Sequence, residues 1–239
     1  MQSRYVQIAE RIRGEIASGQ YASGDRIPTE NELARMLDVS RPTVRQALDL
    51  LAREGLLVRV KGSGTFVSQP KLVHESTTFV TGYREESRRK NRILRTKVVC
   101  LRIQEAGEKV GDALKLAPEE PVTKLVRIRH LENMYANAPV VYTTLYVPVK
   151  LFPDMAGIDF TETSFYDALD GRGLSVAHAS RRLEVVMPPE EVAAGLEITA
   201  FEPTAFIASR GYTASGQAVE YTESYYPASR SSFRIEIHR

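Results

Sequence analysis

The chain has 239 residues, enough for two domains that each bury a core, and its 43% hydrophobic and 26% charged content is that of a globular protein. No apolar run reaches the roughly 18 residues that span a bilayer, and the N-terminus, MQSRYVQIAERIR, lacks a signal-peptide core, so a cytoplasmic protein with no membrane partner is expected. The single Cys100 excludes an internal disulfide and a cysteine-built zinc site. A net charge of +2 means that any nucleic-acid surface must concentrate its charge locally.

In chain order, Tyr5, Ile8, Ala9, Ile12 and Ile16 recur at three- and four-residue spacing and predict a first helix, closed at Ser18-Gly19. Thr29-Glu30-Asn31-Glu32 reads as a capping box, although Thr29 and Glu30 suit phosphate contact as well. The short helix after it turns Leu33, Ala34 and Leu37 inward, and Asp38-Val39 makes a turn. Ser40 then caps a third helix, SRPTVRQALDLLAREG, with Val44, Ala47, Leu48 and Leu51 as its buried stripe and Pro42 in its first turn. Arg41, Thr43, Arg45 and Gln46 are left at its exposed N-terminal end.

Two helices joined by a tight turn, the second presenting Arg, Thr and Gln from its first turns, form a helix-turn-helix pattern. Arginine can donate two bonds to guanine O6 and N7, while Ser and Thr bond phosphate oxygens. Past Gly55, Leu56–Val60 and Thr65–Val67 read as strands around a Lys61-Gly62-Ser63-Gly64 turn, a hairpin whose glycines allow close approach to a backbone. From Arg41 to Lys61 five basic residues stand against Asp49 and Glu54, a local surplus on a nearly neutral chain.

The run from Tyr5 to Val67 resembles the winged-helix domain of the GntR family of bacterial repressors, including the Pro-Thr-Glu before helix two and the glycine-rich wing. The resemblance implies DNA contacts from Arg41, Thr43 and Arg45, with Ser40 and Gly62 near the backbone and Lys61 on phosphate at the wing tip. Some relatives carry an arginine where this chain has Asn31.

Residues 70–77 lack periodicity and read as a linker. A basic run follows from Arg84 to Lys97, read as a solvated loop or as a second DNA-contacting surface. Beyond it, KVVCLRI, PVTKLVRIRHL, PVVYTTLYVP, SRRLEVVMP, PTAFIASRGYT, VEYTESYYP and FRIEIHR read as strands, with Cys100 as a buried thiol in the first. Helices are expected at Gly107–Lys115, Ser164–Arg172 and Pro189–Leu196, giving an antiparallel sheet flanked by helices. Gly-x-Ser-x-Gly, the P-loop, the dinucleotide fingerprint and a histidine pair at metal spacing are all missing, so no catalytic residue, metal or cofactor is assigned. Arg127 and Arg129 share one strand face, which fits either a carboxylate- or phosphate-binding pair or surface charge matched by Glu132 or Glu184.

This half resembles the UTRA domain of HutC-type GntR regulators over roughly residues 94–239. The resemblance rests on Val126-Arg127-Ile128-Arg129, Ala138-Pro139-Val140-Val141, Ser164-Phe165-Tyr166, Gly216–Tyr221, and Tyr226 with Arg230 and Phe233. It implies a chorismate-lyase-like fold with a ligand pocket. Arg127 and Arg129 would hold an anionic group there, Ser164 and Tyr166 hydrogen bonds, Glu220 a hydroxyl or amine, and Tyr226 a further pocket position. Many relatives carry a glutamate where this chain has Thr143, and the loop from Thr81 to Arg84 differs from that of phosphosugar-binding members.

Together these readings describe an α+β protein: a winged helix-turn-helix DNA-binding domain over 1–69, a linker over 70–77 and an effector-binding, dimerising UTRA domain over 78–239. The expected function is a cytoplasmic, nucleoid-associated homodimeric repressor, not an enzyme, on a palindromic double-stranded operator, released by a small anionic metabolite. The alternative is an architectural DNA binder whose second domain does not sense.

Overall fold

The computed structural model describes residues 3–60, 62–68, 71–74, 83–132 and 134–235. The chain divides into two compact units, 1–70 with 133–136, and 71–132 with 137–239.

The first unit holds α1 (Arg4–Ala17), α2 (Glu30–Leu37), α3 (Arg41–Arg53), β1 (Leu57–Val60) and β2 (Gly64–Val67). At the start of α2 both halves of the capping box form, with Thr29 Oγ1 accepting from the Glu32 amide and the Glu32 carboxylate accepting from the Thr29 amide. Asp38 ends α2 in the left-handed region at φ 49°, a conformation aspartate tolerates, and this makes the turn into α3. Ile8, Ile12, Leu33, Val44, Leu48 and Leu51 meet in one core, so the apolar stripes of all three helices face each other. β1 and β2 pair antiparallel, Leu57 opposite Val67, and form the wing.

The second unit is built on six antiparallel strands: β4 (Leu94–Glu105), β5 (Pro121–Leu131), β6 (Pro139–Pro148), β7 (His178–Val186), β8 (Thr204–Tyr212) and β9 (Ala218–Pro227), in the order β4-β5-β6-β9-β8-β7. Each end is a three-stranded meander, and β6 and β9 join the two. Helices α5 (Gly107–Leu114) and α7 (Glu190–Gly195) cover one face: Val110 and Leu114 cluster with Val122 and Tyr221, and Val192 clusters with Val126, Ile128 and Tyr142. On the other face Leu125, Leu145 and Val147 meet Phe152, Phe160, and Phe165 and Leu169 of α6 (Phe165–Asp170). Covered on both faces, β5 and β6 are apolar nearly throughout, whereas β7 alternates.

Three expectations need correction. Within the stretch read as a linker, Leu72–His74 form β3, paired in parallel with β10 (Ser231–Phe233), because Leu72 and His74 find buried places that local sequence does not reveal. Residues 70 and 75–77 of that stretch lie outside the described residues. The basic run read as a loop begins with α4 (Tyr83–Arg89) and ends inside β4; Lys90 Nζ pairs with Glu86 one turn earlier (2.8 Å) and donates to the Val73 carbonyl (2.9 Å). The run FRIEIHR is a strand at Phe233 alone among its described residues, and Cys100 is half-buried rather than enclosed.

His74 is fully enclosed by the rings of Tyr226, Phe233 and Tyr83, at centroid distances of 4.7, 5.1 and 5.8 Å, and its Nε2 is buried without a hydrogen-bond partner. Burial, helped by Lys90 and Arg92, lowers its pKa from 6.5 to about 3, so it is neutral when folded. Below pH 6.5 the unfolded chain takes up a proton that the folded chain refuses. The second unit therefore loses stability as pH falls from about 6.5 towards 3. His74→Leu removes this contribution, and urea midpoints measured across that range should fall less steeply in the variant than in the parent protein.

Candidate nucleic-acid interface and ligand cavity

At the N-terminal end of α3, Ser40 Oγ accepts from the Thr43 amide (3.4 Å) and lies 2.7 Å from Thr43 Oγ1, so the two hydroxyls cap the helix together. Arg41 and Arg45 project from the next turn and are more than half exposed. Both end on one carboxylate. Glu30 Oε2 accepts from Arg41 Nε at 3.0 Å and from Arg45 Nη2 at 3.0 Å, while Arg59 of β1 donates from Nη1 to Oε1 at 3.1 Å. Bonds from Arg45, then Arg41 and Arg59, lower the Glu30 pKa from 4.5 to about 2. The cap at this helix start is Glu32's work, so Glu30 serves neither role considered from sequence. Its proximity to Arg41, Arg45 and Arg59 depends on α2, α3 and the wing meeting, which residue spacing does not announce.

Gly62 turns the wing at φ 79°, a region glycine enters without strain, and the Ser63 amide closes the turn on the Val60 carbonyl at 3.0 Å. Lys61 lies outside the described residues. Asn31 is exposed, with its carbonyl accepting from Arg35 Nε at 3.4 Å. The surface that results combines a helix N-terminus, two hydroxyls, three guanidiniums around one carboxylate and a side-chain-free wing turn. Such a set can engage phosphate oxygens and base edges.

Protonating Glu30 breaks this cluster. Its folded pKa lies below its unfolded one, so the stabilisation is present above about pH 4.5 and is lost as pH falls towards 2. Glu30→Gln should lower the stability of the first unit at pH 7 and flatten its acid-side decline, as read by denaturant midpoints from pH 7 to 2.5.

In the second unit, five of the six residues assigned to a pocket line one cavity of about 90 Å³: Arg127, Arg129, Ser164, Tyr166 and Tyr226. Strand register explains the grouping. Arg127 is opposite Thr143, Thr143 opposite Ser224 and Ser224 opposite Ile207, so one row of side chains crosses β5, β6, β9 and β8 on a single face. Ser164 caps α6, accepting from the Asp167 amide at 3.4 Å, and so brings Tyr166 over this row.

Glu220 sits behind the lining rather than in it. It is wholly buried, with Tyr166 Oη donating to Oε1 at 2.7 Å and Thr222 Oγ1 to Oε2 at 3.2 Å. Burial pushes its carboxyl up against those two bonds and the nearby Arg181 and Arg127. A Cβ on Gly211 would stand 2.6 Å from Glu220 Cγ, so the glycine opposite is what makes room for this carboxylate. Burial, then Glu220, keeps the Tyr166 hydroxyl protonated, and Tyr166 thereby couples the cavity wall to the carboxylate behind it.

Arg127 and Arg129 are 4% and 8% exposed, which rules out surface charge. The carboxylates once weighed as partners are taken elsewhere, Glu132 by Arg95 and Glu184 by Arg182. Arg127 Nε is buried without a hydrogen-bond partner and its guanidinium lies over the Phe160 ring at 5.9 Å. Arg129 reaches Thr143 Oγ1 at 3.5 Å and faces the Tyr83 ring at 5.6 Å. Among the described residues neither forms an ion pair. Burial, and for Arg127 the neighbouring Arg129, draws both guanidiniums below their ordinary pKa.

Sequence reasoning missed Arg84, Arg181, Ser209, Thr222 and Ser224 of the lining. The alternation Glu220, Thr222, Ser224, Tyr226 was a usable signal, four polar groups on one face of a strand that is otherwise buried. Among the described residues no group of three or more His, Cys, Asp or Glu could hold a metal ion, and no helix is long and apolar enough to cross a membrane.

Comparison with known proteins bears on both sites. Residues 4–67 match the family described as bacterial regulatory proteins, gntR family, and residues 89–232 match the UTRA domain. The chain is 27% identical over 235 residues to the mannosyl-D-glycerate transport/metabolism system repressor MngR of Escherichia coli (strain K12), covering 98% of this chain and 96% of the relative. It is 30% identical over 227 residues to the histidine utilization repressor of Pseudomonas putida, covering 95% and 88%. The crystal structure of PhnF from Mycobacterium smegmatis shares the fold, with a TM-score of 0.67 at 24% identity, covering 99% of each chain.

Proposed function

The chain belongs to the GntR family of DNA-binding transcriptional regulators, with a UTRA domain, and from that premise we propose a homodimeric repressor that leaves its operator when a small anionic metabolite binds. The observation that carries this reading is the pair Arg127 and Arg129, buried at a cavity with no carboxylate partner among the described residues. An uncompensated buried charge costs of the order of several kcal/mol, and an anion seated between the two would offset that cost. Where many relatives have a glutamate, Thr143 adds no competing charge, so the negative group must come from the ligand. Glu220, reached through Tyr166, suits a ligand hydroxyl or amine at the far side.

On DNA, Arg41, Thr43 and Arg45 read bases and phosphates, Ser40 and Gly62 approach the backbone, and Lys61 contacts phosphate. A dimer sets two α3 helices on a palindromic site about one helical turn apart. The ligand acts through its different affinity for two arrangements of the dimer. The relatives named for mannosyl-D-glycerate and histidine utilisation support a catabolic or transport operon as target, and a cytoplasmic location accords with this role.

A thermal-shift screen against sugar phosphates, histidine-breakdown acids and other carboxylates tests the sensor. A compound at about a hundredfold excess over its Kd should add about 2.7 kcal/mol of stability, and Arg127→Ala should abolish the shift. A panel-wide absence of shifts would favour the architectural alternative. On operator DNA, Arg45→Ala should cost about 1–3 kcal/mol and relax base preference, measured by titrating operator and scrambled duplexes at fixed salt. Unchanged preference would remove Arg45 from base reading.

A further inference from the structure

β4 and β7 close the two ends of the six-stranded sheet, and an edge strand offers unpaired backbone donors and acceptors to whatever lies beside it. β4 is defended against such pairing. Its register shifts between Val98 and Cys100, and Arg95, Lys97 and Arg102 stud its length. β7 has neither defence in full, since it pairs with β8 from His178 to Val186 without a shift. It also exposes apolar side chains: Leu183 is 42% accessible, Val185 74% and the following Met187 61%.

We propose that a second copy of this chain pairs antiparallel with β7, with a two-fold axis at Leu183, joining two six-stranded sheets into one. The inference rests on the homodimer proposed above and names the surface that makes it. The register follows from geometry. In a two-fold antiparallel pair, facing residues lie on the same side of the sheet, so the axis must fall on a residue. An axis on Arg181, Arg182 or Glu184 would set a charge against its own copy. An axis on Ser180 or Val185 shortens the overlap and separates Arg182 from the opposite charge.

The axis on Leu183 overlaps Ser180–Val186. It places Arg182 opposite Glu184 of the partner subunit, with the reciprocal pair across the axis. Arg182 and Glu184 already share a face, 3.5 Å apart within one strand, and their side chains are 69% and 42% exposed, so both can turn to a partner. Val185 faces the apolar stem of the partner's Arg181.

Charge reversal tests the arrangement, with the full chain examined by sedimentation equilibrium and thermal midpoints confirming the fold of each variant. Arg182→Glu and Glu184→Arg, each alone, create two like-charge contacts and should raise the dimer dissociation constant about tenfold or more. The double variant R182E/E184R restores opposite charges and should return close to the parent value. If the parent is a dimer and the single reversals leave it unchanged, β7 is not the interface while the homodimer reading stands. If the double variant is as weak as the singles, the Leu183 register is wrong. A parent chain that is monomeric at concentrations saturating the operator would overturn the homodimer and this surface together.

Discussion

Charge buried without a partner is the constraint on which the second unit is organised. Arg127 and Arg129 occupy same-face positions of a strand covered on both sides, where a guanidinium keeps its proton at considerable cost. Around them stand hydroxyls, rings and one recessed carboxylate, and none of these cancels the charge. Phe160 and Tyr83 present ring faces to the guanidiniums and Thr143 a single long bond, weak compensations that leave the strongest interaction open. A fold that tolerates this arrangement has stability to gain from an anion, and the gain depends on concentration.

The first unit treats charge the opposite way. Three guanidiniums converge on Glu30, so the recognition surface is held together by its own carboxylate. Because these contacts join α2, α3 and the wing, they order the surface from three separate elements. A phosphate approaching Arg41 or Arg45 exchanges one anion for another, and the cost of leaving Glu30 sets part of the affinity. The two units thus hold their arginines in contrasting states, one internally neutralised and one not.

His74 shows how the sheet face is tied to its surroundings. Its ring touches Tyr83 and Tyr226, both of which line the cavity, and its strand is held by β10 and by Lys90 of the segment following α4. The cavity wall and the start of the second unit are therefore one packed assembly.

Much was legible in the residues alone, because the relevant physics is local. Capping at Thr29 and Ser40, the left-handed turn at Asp38, the three- and four-residue spacing of Ile8, Ile12, Val44 and Leu51 and the two-residue alternation of Arg127 with Arg129 depend on neighbours a few positions away. Sequence by itself therefore determined the helix-turn-helix, most of the sheet strands and the shared face of the two arginines. Tertiary structure alone decided what those side chains meet. β3 exists because β10 lies beside it. α4 displays a single ring, Tyr83, whose burial no periodic pattern announces. Glu30 gathers arginines from two other elements, and Glu220 is recessed behind Tyr166 in space left by Gly211. Whether Arg127 and Arg129 were paired surface charge or a buried, uncompensated couple turned on where Glu132 and Glu184 point, and only the packing of strands brought together from distant parts of the chain could settle that.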